Sequence, residues 1–436
     1  MPNCTPDQID FGRLGRRHIE ANFEGGSISS DGGVMLLRQV DLRLSLSKSI
    51  AKVLNDPRDP NRVTHSLCDL VAQRLYALCC GYEDLNDHDQ LRHDPLMQTA
   101  IGTDELLGSC PTLCRLETRA TRNDIWALNR VLVEQFVASH SKIPEELILD
   151  IDASDIPLHG DQEGKEFHAY YDHHCYLPLY VYCGKSLLAC ILRNSRIDGA
   201  KHAAAVIKLL VCHLRKVWPA VNIIVRGDSG FCRQRLIRWC ERHDVGYAIG
   251  MARNKRLHAE VKSWEDAMAR RFNEKNEKQR EIHEFVYCAK SWNRERRLIA
   301  RLEYGCQGTN PRFIVTNLDR PAEDLYDRLY CLRGEAENRI KETQLDLFGT
   351  RTSCRKFLAN WLRILFSALA YTLMQRLREI ALKGSELENA CAATIRVRLL
   401  KFGAAIVRNT RRVRILLASH HPLRPLYLSA AQALAP

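Results

Sequence analysis

Leu149-Asp150-Ile151-Asp152-Ala153-Ser154-Asp155 closes an apolar run that begins at Leu147. A short apolar segment bounded by turn-forming Asp and Ser reads as a strand of a buried sheet. Side chains alternate along a strand, so Asp150 and Asp152 project from one face and Ile151 from the other. Two carboxylates facing one way repel unless a cation lies near them, whereas at a solvated strand end the same acids are ordinary turn formers. The alternation does not separate Asp150 from Asp152.

Outward from this strand the pattern continues with Leu177–Cys183, a turn at Gly184-Lys185-Ser186, and Leu187–Arg193. A helical segment at Ala200–Val217, a strand at Asn222–Arg226, a helix at Arg233–His243 and a strand at Tyr247–Gly250 follow. The order β-β-β-α-β-α-β is that of an α/β protein, a mixed sheet flanked by helices. The charged stretch Asn254–Arg280 and the strand-like runs from Phe285 to Leu318 read as a β-rich insertion, residues 253–317. Helices follow over Leu325–Gln344 and Lys356–Leu382. The expected core is therefore 141–252 with 318–382, between a helical N-terminal region 1–140 and a basic C-terminal region 383–436. Ser30-Asp31-Gly32-Gly33 precedes the first helical run, and Leu67, Leu70, Val71, Leu75 and Leu78 keep helical spacing.

The chain has 436 residues, 45% hydrophobic and 27% charged, proportions that exclude collagen, low-complexity polymers and wholesale disorder. At about 100–200 residues per domain, two to four units are expected. Lys plus Arg is 64 and Asp plus Glu is 52, so 64 − 52 gives a net charge of +12. Such a surplus points to a polyanion, because each cation placed at a phosphate releases a counterion. Nucleic acid is the expected partner. Residues 389–436 carry eight Lys or Arg and no acid, with Arg396, Arg398, Lys401, Arg408, Arg411, Arg412 and Arg414 as a candidate phosphate track. The 17 cysteines are scattered, lack CxxC spacing and cannot all pair, which suits a reducing cytoplasm better than a disulfide framework or structural zinc. Met1–Phe11 has no leader pattern. Trp361–Met374, interrupted by Arg363, falls short of the ~20 residues of a membrane span and reads as a buried helix.

Two further acids stand at element ends. Ile223-Ile224-Val225-Arg226-Gly227-Asp228-Ser229-Gly230-Phe231 is an apolar strand ending in an acid between glycines, where sites on sheets are assembled and where an Asp also starts turns. Its Gly-Asp-Ser-Gly matches a serine-protease string, but no buried His–Asp pair is signalled elsewhere. On the late helix, Tyr330, Arg333, Glu337, Lys341 and Gln344 are spaced by three or four and share a face. That face suits a site holding a cation and a phosphate, or an exposed helix laced with salt bridges.

Asp152, Asp228 and Glu337 together resemble the acidic triad of the DDE transposases of bacterial insertion sequences, and Tyr330, Arg333 and Glu337 resemble that class's Y-x2-R-x3-E signature. The chain is most similar to the thirteen-eighty insertion-sequence family over nearly its whole length. The matching stretches are Asp56–Pro60, Gly81–Asp84, His159–Gly164, Tyr170–Pro178, Arg226–Phe231, Asn310–Phe313 and Arg333–Glu342. One departure is Gln344, where the class usually has Lys; Lys341, a turn earlier, is the candidate to reach the phosphate instead.

The resemblance implies a ribonuclease-H-like catalytic domain and DNA transposition, with cleavage at element ends and strand transfer into target DNA. It implies two Mg²⁺ ions, with Mn²⁺ able to substitute, held by Asp152, Asp228 and Glu337. Asp152 takes the bridging place over Asp150 because Asp152-Ala153-Ser154 matches the class's pattern. Tyr330 and Arg333 would hold phosphate or the flanking nucleotide. Partners would be the terminal inverted repeats, bound in part by residues 1–140, and target DNA, engaged by a homodimer in a bacterial, nucleoid-associated setting. Arg411 and Arg412 would contact backbone phosphates, and Trp292 is a candidate to stack on an unstacked base. A DNA-binding relic or repressor, or a standalone nuclease, would share the charge without the full reaction.

Overall fold

The computed structural model describes residues 8–435, so Cys4 and most of the segment read for a leader lie outside the described residues. The chain divides into two compact units, residues 1–116 with 373–436, and residues 117–372.

The first unit is mainly helical. Val34–Leu44, Leu46–Val53, Leu67–Cys80 and Pro95–Ile101 bury Val34, Leu37, Val40, Leu70, Val71 and Leu75. Ser66 and Asp69 cap the third helix reciprocally, each satisfying a backbone N–H that a helix start leaves unpaired. The buried Asp41 carboxylate is fully engaged, accepting from Ser47 N at 2.8 Å, Ser47 Oγ at 2.6 Å and Tyr76 Oη at 2.7 Å. Gly32 and Gly33 lie against the C-terminal segment, donating to the carbonyls of Phe402 and Leu400 at 2.9 and 3.0 Å. A Cβ on Gly33 would stand 2.2 Å from the Leu399 carbonyl oxygen, which explains the glycine pair. Ahead of the helices, Ile9–Leu14 and Arg17–Ala21 form an exposed hairpin that a mostly polar segment does not announce.

The second unit is a mixed α/β structure. Its strands are β1 (Glu146–Ala153), β2 (Leu179–Cys183), β3 (Ser186–Ile191), β4 (Asn222–Gly227), β5 (Gly246–Met251), β6 (Gln279–Tyr287), β7 (Arg296–Gly305) and β8 (Arg312–Thr316). They form one sheet in the order β6-β7-β8-β5-β4-β1-β2-β3, with Gly308–Thr309 added beside β7. β1, β4 and β5 are parallel and the outer pairings antiparallel. The segment read as an insertion opens with a helix, Lys255–Lys275, and its strands then extend the central sheet through β8 against β5. Leu298, Ile299, Ala300 and Leu302 are buried, so β7 is a core strand. Arg122–Ala138, grouped in the sequence with the N-terminal region, packs on β3, where Asn129 Oδ1 accepts from Cys190 N at 2.9 Å.

One face of the sheet packs Ile224, Ala248, Ile299 and Ile314 against Leu325, Tyr326 and Leu329 of a helical stretch. Full burial of each Ile or Leu side chain here contributes about 1.5–3 kcal/mol. That stretch is irregularly wound, wide over Asp324–Tyr330, tight over Cys331–Arg333, α-helical over Gly334–Lys341 and wide again over Glu342–Asp346. The apolar segment around Trp361 belongs to a 25-residue helix, Phe357–Ala381, within one residue at each end of the Lys356–Leu382 read from the sequence. It is long and apolar enough to cross a membrane, yet 83% of its most apolar window is buried within the protein. Trp361 and Tyr371 anchor it, donating to the carbonyls of Cys190 and Lys185 at 3.0 and 2.8 Å.

Candidate active site

β1 and β4 are parallel neighbours with Asp150 opposite Arg226 and Ile151 opposite Gly227. Their C-terminal ends therefore deliver Asp152 and Asp228 side by side. One step down the same face, Arg226 grips Asp150 with two guanidinium nitrogens, Nη2 at 2.6 Å from Oδ2, and also donates to the Leu329 carbonyl. Both side chains are buried. Asp150, the rival of Asp152 in the sequence, is thus committed to an internal ion pair that ties β1 and β4 to the helix bearing Glu337.

Asp152 is part-buried, its Oδ1 accepting from Ala153 N at 2.8 Å and its Oδ2 3.5 Å from Arg333 Nη1. Arg333 Nη2 lies 2.7 Å from Glu337 Oε1, so a single guanidinium bridges the first acid and the third. Burial pushes the Asp152 carboxyl up to about 6; the nearby negative charges of Asp228 and Glu337 push the same way, against Arg333. The three acids therefore share one electrostatic field. Asp228 also forms the local turn, with Oδ1 accepting from Gly230 N at 2.9 Å. The turn-forming reading of this residue is thereby seen in the structure.

Gly250 on β5 lets these pieces close up. A Cβ there would lie 2.5 Å from Tyr330 Oη and 2.8 Å from Ser229 N. Tyr330 and Arg333 line a cleft of about 780 Å³ with Asp228 and Glu337. Arg253, Arg301 and Arg312 line it too, from the end of β5, from β7 and from the start of β8. The sequence reading did not assign these three; the only signal was Arg312 inside the Asn310–Phe313 stretch.

Lys341 is exposed, whereas Gln344 is buried and holds the loop after β1. Gln344 Oε1 accepts from Ser154 Oγ at 3.2 Å and its Nε2 donates to the Asp155 carbonyl at 3.2 Å. Gln344 thus couples the glutamate helix to the strand of Asp152. Trp292 lies elsewhere. Arg297 and Ala248 both pair with Thr316, so β7 runs alongside β5 in the same direction, and Trp292 precedes the start of β7, away from the ends that carry the acids. Its ring is covered by the Arg296 guanidinium at 4.9 Å.

The basic C-terminal residues divide in two within the first unit. Arg396 donates to the Cys79 carbonyl at 2.9 Å, Arg398 pairs with Glu386 at 2.8 Å, Lys401 with Asp31 at 2.8 Å, and Arg408 bonds Gln98 at 3.0 Å. Arg411, Arg412 and Arg414 are exposed on the hairpin of Ala404–Asn409 and Arg412–Leu417. The phosphate track read from the sequence thereby shrinks to this hairpin.

The acids offer only carboxylate oxygens, the donor type of hard divalent cations. Among the described residues no three His, Cys, Asp or Glu side chains already converge at metal-ligand spacing. The positive charge between Asp152 and Glu337 is that of Arg333. The donor chemistry fits a divalent cation, and the unfavourable field around Asp152 is what such a cation would relieve.

The family model of the transposase DDE domain, group 1, matches residues 11–436. No curated protein matches the chain. Among solved structures, a cryo-electron-microscopy structure of a piggyBac transposase synaptic complex with hairpin DNA is similar at a TM-score of 0.43 and 11% identity, covering 85% of this chain and 79% of that one.

Proposed function

This chain belongs to the transposase DDE domain group 1 family and is a transposase; from that premise we propose that it cuts DNA at the ends of an insertion sequence of the thirteen-eighty family and joins them to target DNA. The observation that carries this reading is the meeting of Asp152 and Glu337 on the single guanidinium of Arg333, with Asp228 at the adjoining end of the parallel neighbour strand. We read the sheet as ribonuclease-H-like, with its parallel strands β1 and β4 presenting the first two acids.

Asp152, Asp228 and Glu337 would hold two Mg²⁺ or Mn²⁺ ions. When bound, such ions supply Lewis-acid activation of the attacking oxygen and neutralise charge at the leaving 3′-oxygen. The protein's own groups do the rest. Arg333 and Tyr330 hold the phosphate that is attacked, and Gly250 keeps the Tyr330 hydroxyl close to the Asp228 turn. Arg253, Arg301 and Arg312 neutralise neighbouring phosphates and fix the strand without reading its bases. Lys341, Arg411 and Arg412 contact further backbone phosphates. Specificity for the inverted repeats then falls to base contacts, which we assign to residues 1–140, and a homodimer would bring two ends together.

Incubation with Mg²⁺ and labelled duplexes carrying the element's ends tests this reading. Nicked and joined products from the wild type, and none from Asp228→Ala, are expected. Binding without cleavage would favour a repressor or relic, and cleavage without joining a nuclease.

A further inference from the structure

The stretch Tyr170–Pro178 has no part in the mechanism above, yet its fold places it beside the acids. Glu166–His168 pairs antiparallel with His173–Tyr176, which in turn pairs with Ile156–Pro157 just beyond β1. The base of this hairpin is fixed. Cys175 and Tyr176 are buried, Ser195 Oγ donates to the Glu166 carbonyl at 2.8 Å and Tyr176 Oη to the Glu163 carbonyl at 2.6 Å.

The tip is a tight turn in which Asp172 adopts a left-handed φ of 58° and the His168 carbonyl accepts from Tyr171 N and Asp172 N at 3.1 and 2.9 Å. This turn holds rings outward. Tyr170 is 83% exposed, its ring standing edge-on to Tyr171 with centroids 5.0 Å apart, while Phe167 packs on His174 across the strand pair. Folding gains almost nothing from a ring left in water, so a rigid aromatic display next to charged groups points to a ligand with flat faces.

Two contacts join the display to the acids. His173 Nε2 lies 2.8 Å from Asp155 Oδ2, three residues after Asp152, and Gln344 holds the Asp155 carbonyl from the glutamate helix. Tyr171 lies within the electrostatic reach of both Asp155 and Asp152. The exposed surface consists of ring planes rather than an aliphatic groove, which suits a nucleobase better than a protein side chain.

We propose that the hairpin Glu166–Tyr176 is a base-stacking platform on which the exposed Tyr170 ring, held edge-on by Tyr171, takes a base unstacked from the DNA strand at the cleavage junction. The proposal rests on the transposase reading of Asp152, Asp228 and Glu337. Its geometric basis is independent of them: a rigid turn, an exposed ring braced by Tyr171 and the His173–Asp155 link. A DNA strand led to Asp152 would reach the hairpin next, and an aromatic face lowers the penalty of unstacking a base there.

The test uses the full chain with Mg²⁺ and end duplexes, either intact or carrying one abasic site stepped through the positions around the junction. Tyr170→Ala is expected to slow cleavage of the intact duplex by about five- to a hundredfold, the scale of one base–aromatic stack. At one abasic position near the junction no base is left to unstack, so Tyr170→Ala is expected there to recover to within about threefold of the wild type. Tyr170→Phe and Tyr170→Trp should keep activity within about threefold of wild type, as stacking requires a ring and no hydroxyl. Unchanged cleavage of the intact duplex by Tyr170→Ala, no abasic position that restores that variant, or a Tyr170→Phe variant as slow as Tyr170→Ala would overturn the proposal while leaving the transposase reading intact. A wild type that neither binds nor cuts the ends would overturn both. Tyr170 is exposed, so an unchanged melting temperature for Tyr170→Ala is expected to accompany the slower cleavage.

Discussion

Asp150 and Asp152 show how far two like residues on one strand face can diverge. Asp150 finds Arg226 across the parallel pairing, and removing it would leave a buried guanidinium without its counter-charge. Asp150→Ala should therefore destabilise the chain by about 3–5 kcal/mol, visible as a lower melting temperature whether or not DNA is present. Asp152 behaves in the opposite sense. Its carboxyl titrates at about 6 in the fold against an ordinary 3.8, so between those values the folded chain binds more protons than the unfolded one. Stability then falls as pH rises through that window, and the penalty is complete above it. Asp152→Asn should raise the melting temperature at pH 7.5, leave it unchanged near pH 3, and abolish cleavage; calorimetry at the two pH values checks the first two outcomes. Mg²⁺ should raise the wild-type melting temperature at pH 7.5 and not that of Asp152→Asn, since only a bound state stabilises by linkage. Alternation placed both acids on one face, but what separates them is an arginine 76 residues away, which no local pattern reveals.

Among the elements, those with strong apolar patterns were legible. β1, β4 and β5 and the helices Ala203–Val217 and Gln234–Arg242 lie within a few residues of where periodicity put them. The strands of the insertion were legible too, but not their union with the sheet, because the pairing of β8 with β5 spans about sixty residues and local alternation carries no partner information. The hairpin Glu166–Tyr176 was missed as structure since its strands are short and polar on one face. The Asp228 turn, β5 and the helix of Tyr330 meet at Gly250, where a Cβ would meet both the Tyr330 hydroxyl and the backbone nitrogen of Ser229. Gly250→Ala should lower the cleavage rate at least tenfold, with DNA affinity largely kept. Parallel binding and single-turnover measurements separate the two effects. A variant as active as wild type would show that the approach of Tyr330 to Asp228 is unimportant.

For the molecule as a whole, the net charge of +12 signals a polyanion but not where it lies. Counting the acid-free tail overstates the free positive surface, because Arg396, Arg398, Lys401 and Arg408 are spent on internal partners. The exposed Arg411 and Arg412 are a different case. Replacing both with Ala should weaken DNA binding about equally for all sequences and reduce the slope of log K against log salt by roughly 1–2. Replacing Lys401 should chiefly lower stability, since Asp31 is buried and paired with it. The claim on which the rest depends is that Asp152, Asp228 and Glu337 jointly hold divalent ions. It is tested most directly by anomalous scattering from Mn²⁺ in crystals of the chain bound to an end duplex. Peaks contacted by all three carboxylates, with Arg333 withdrawn from between Asp152 and Glu337, are predicted; Mn²⁺ bound without one of the three, or no Mn²⁺ at these strand ends, would contradict it.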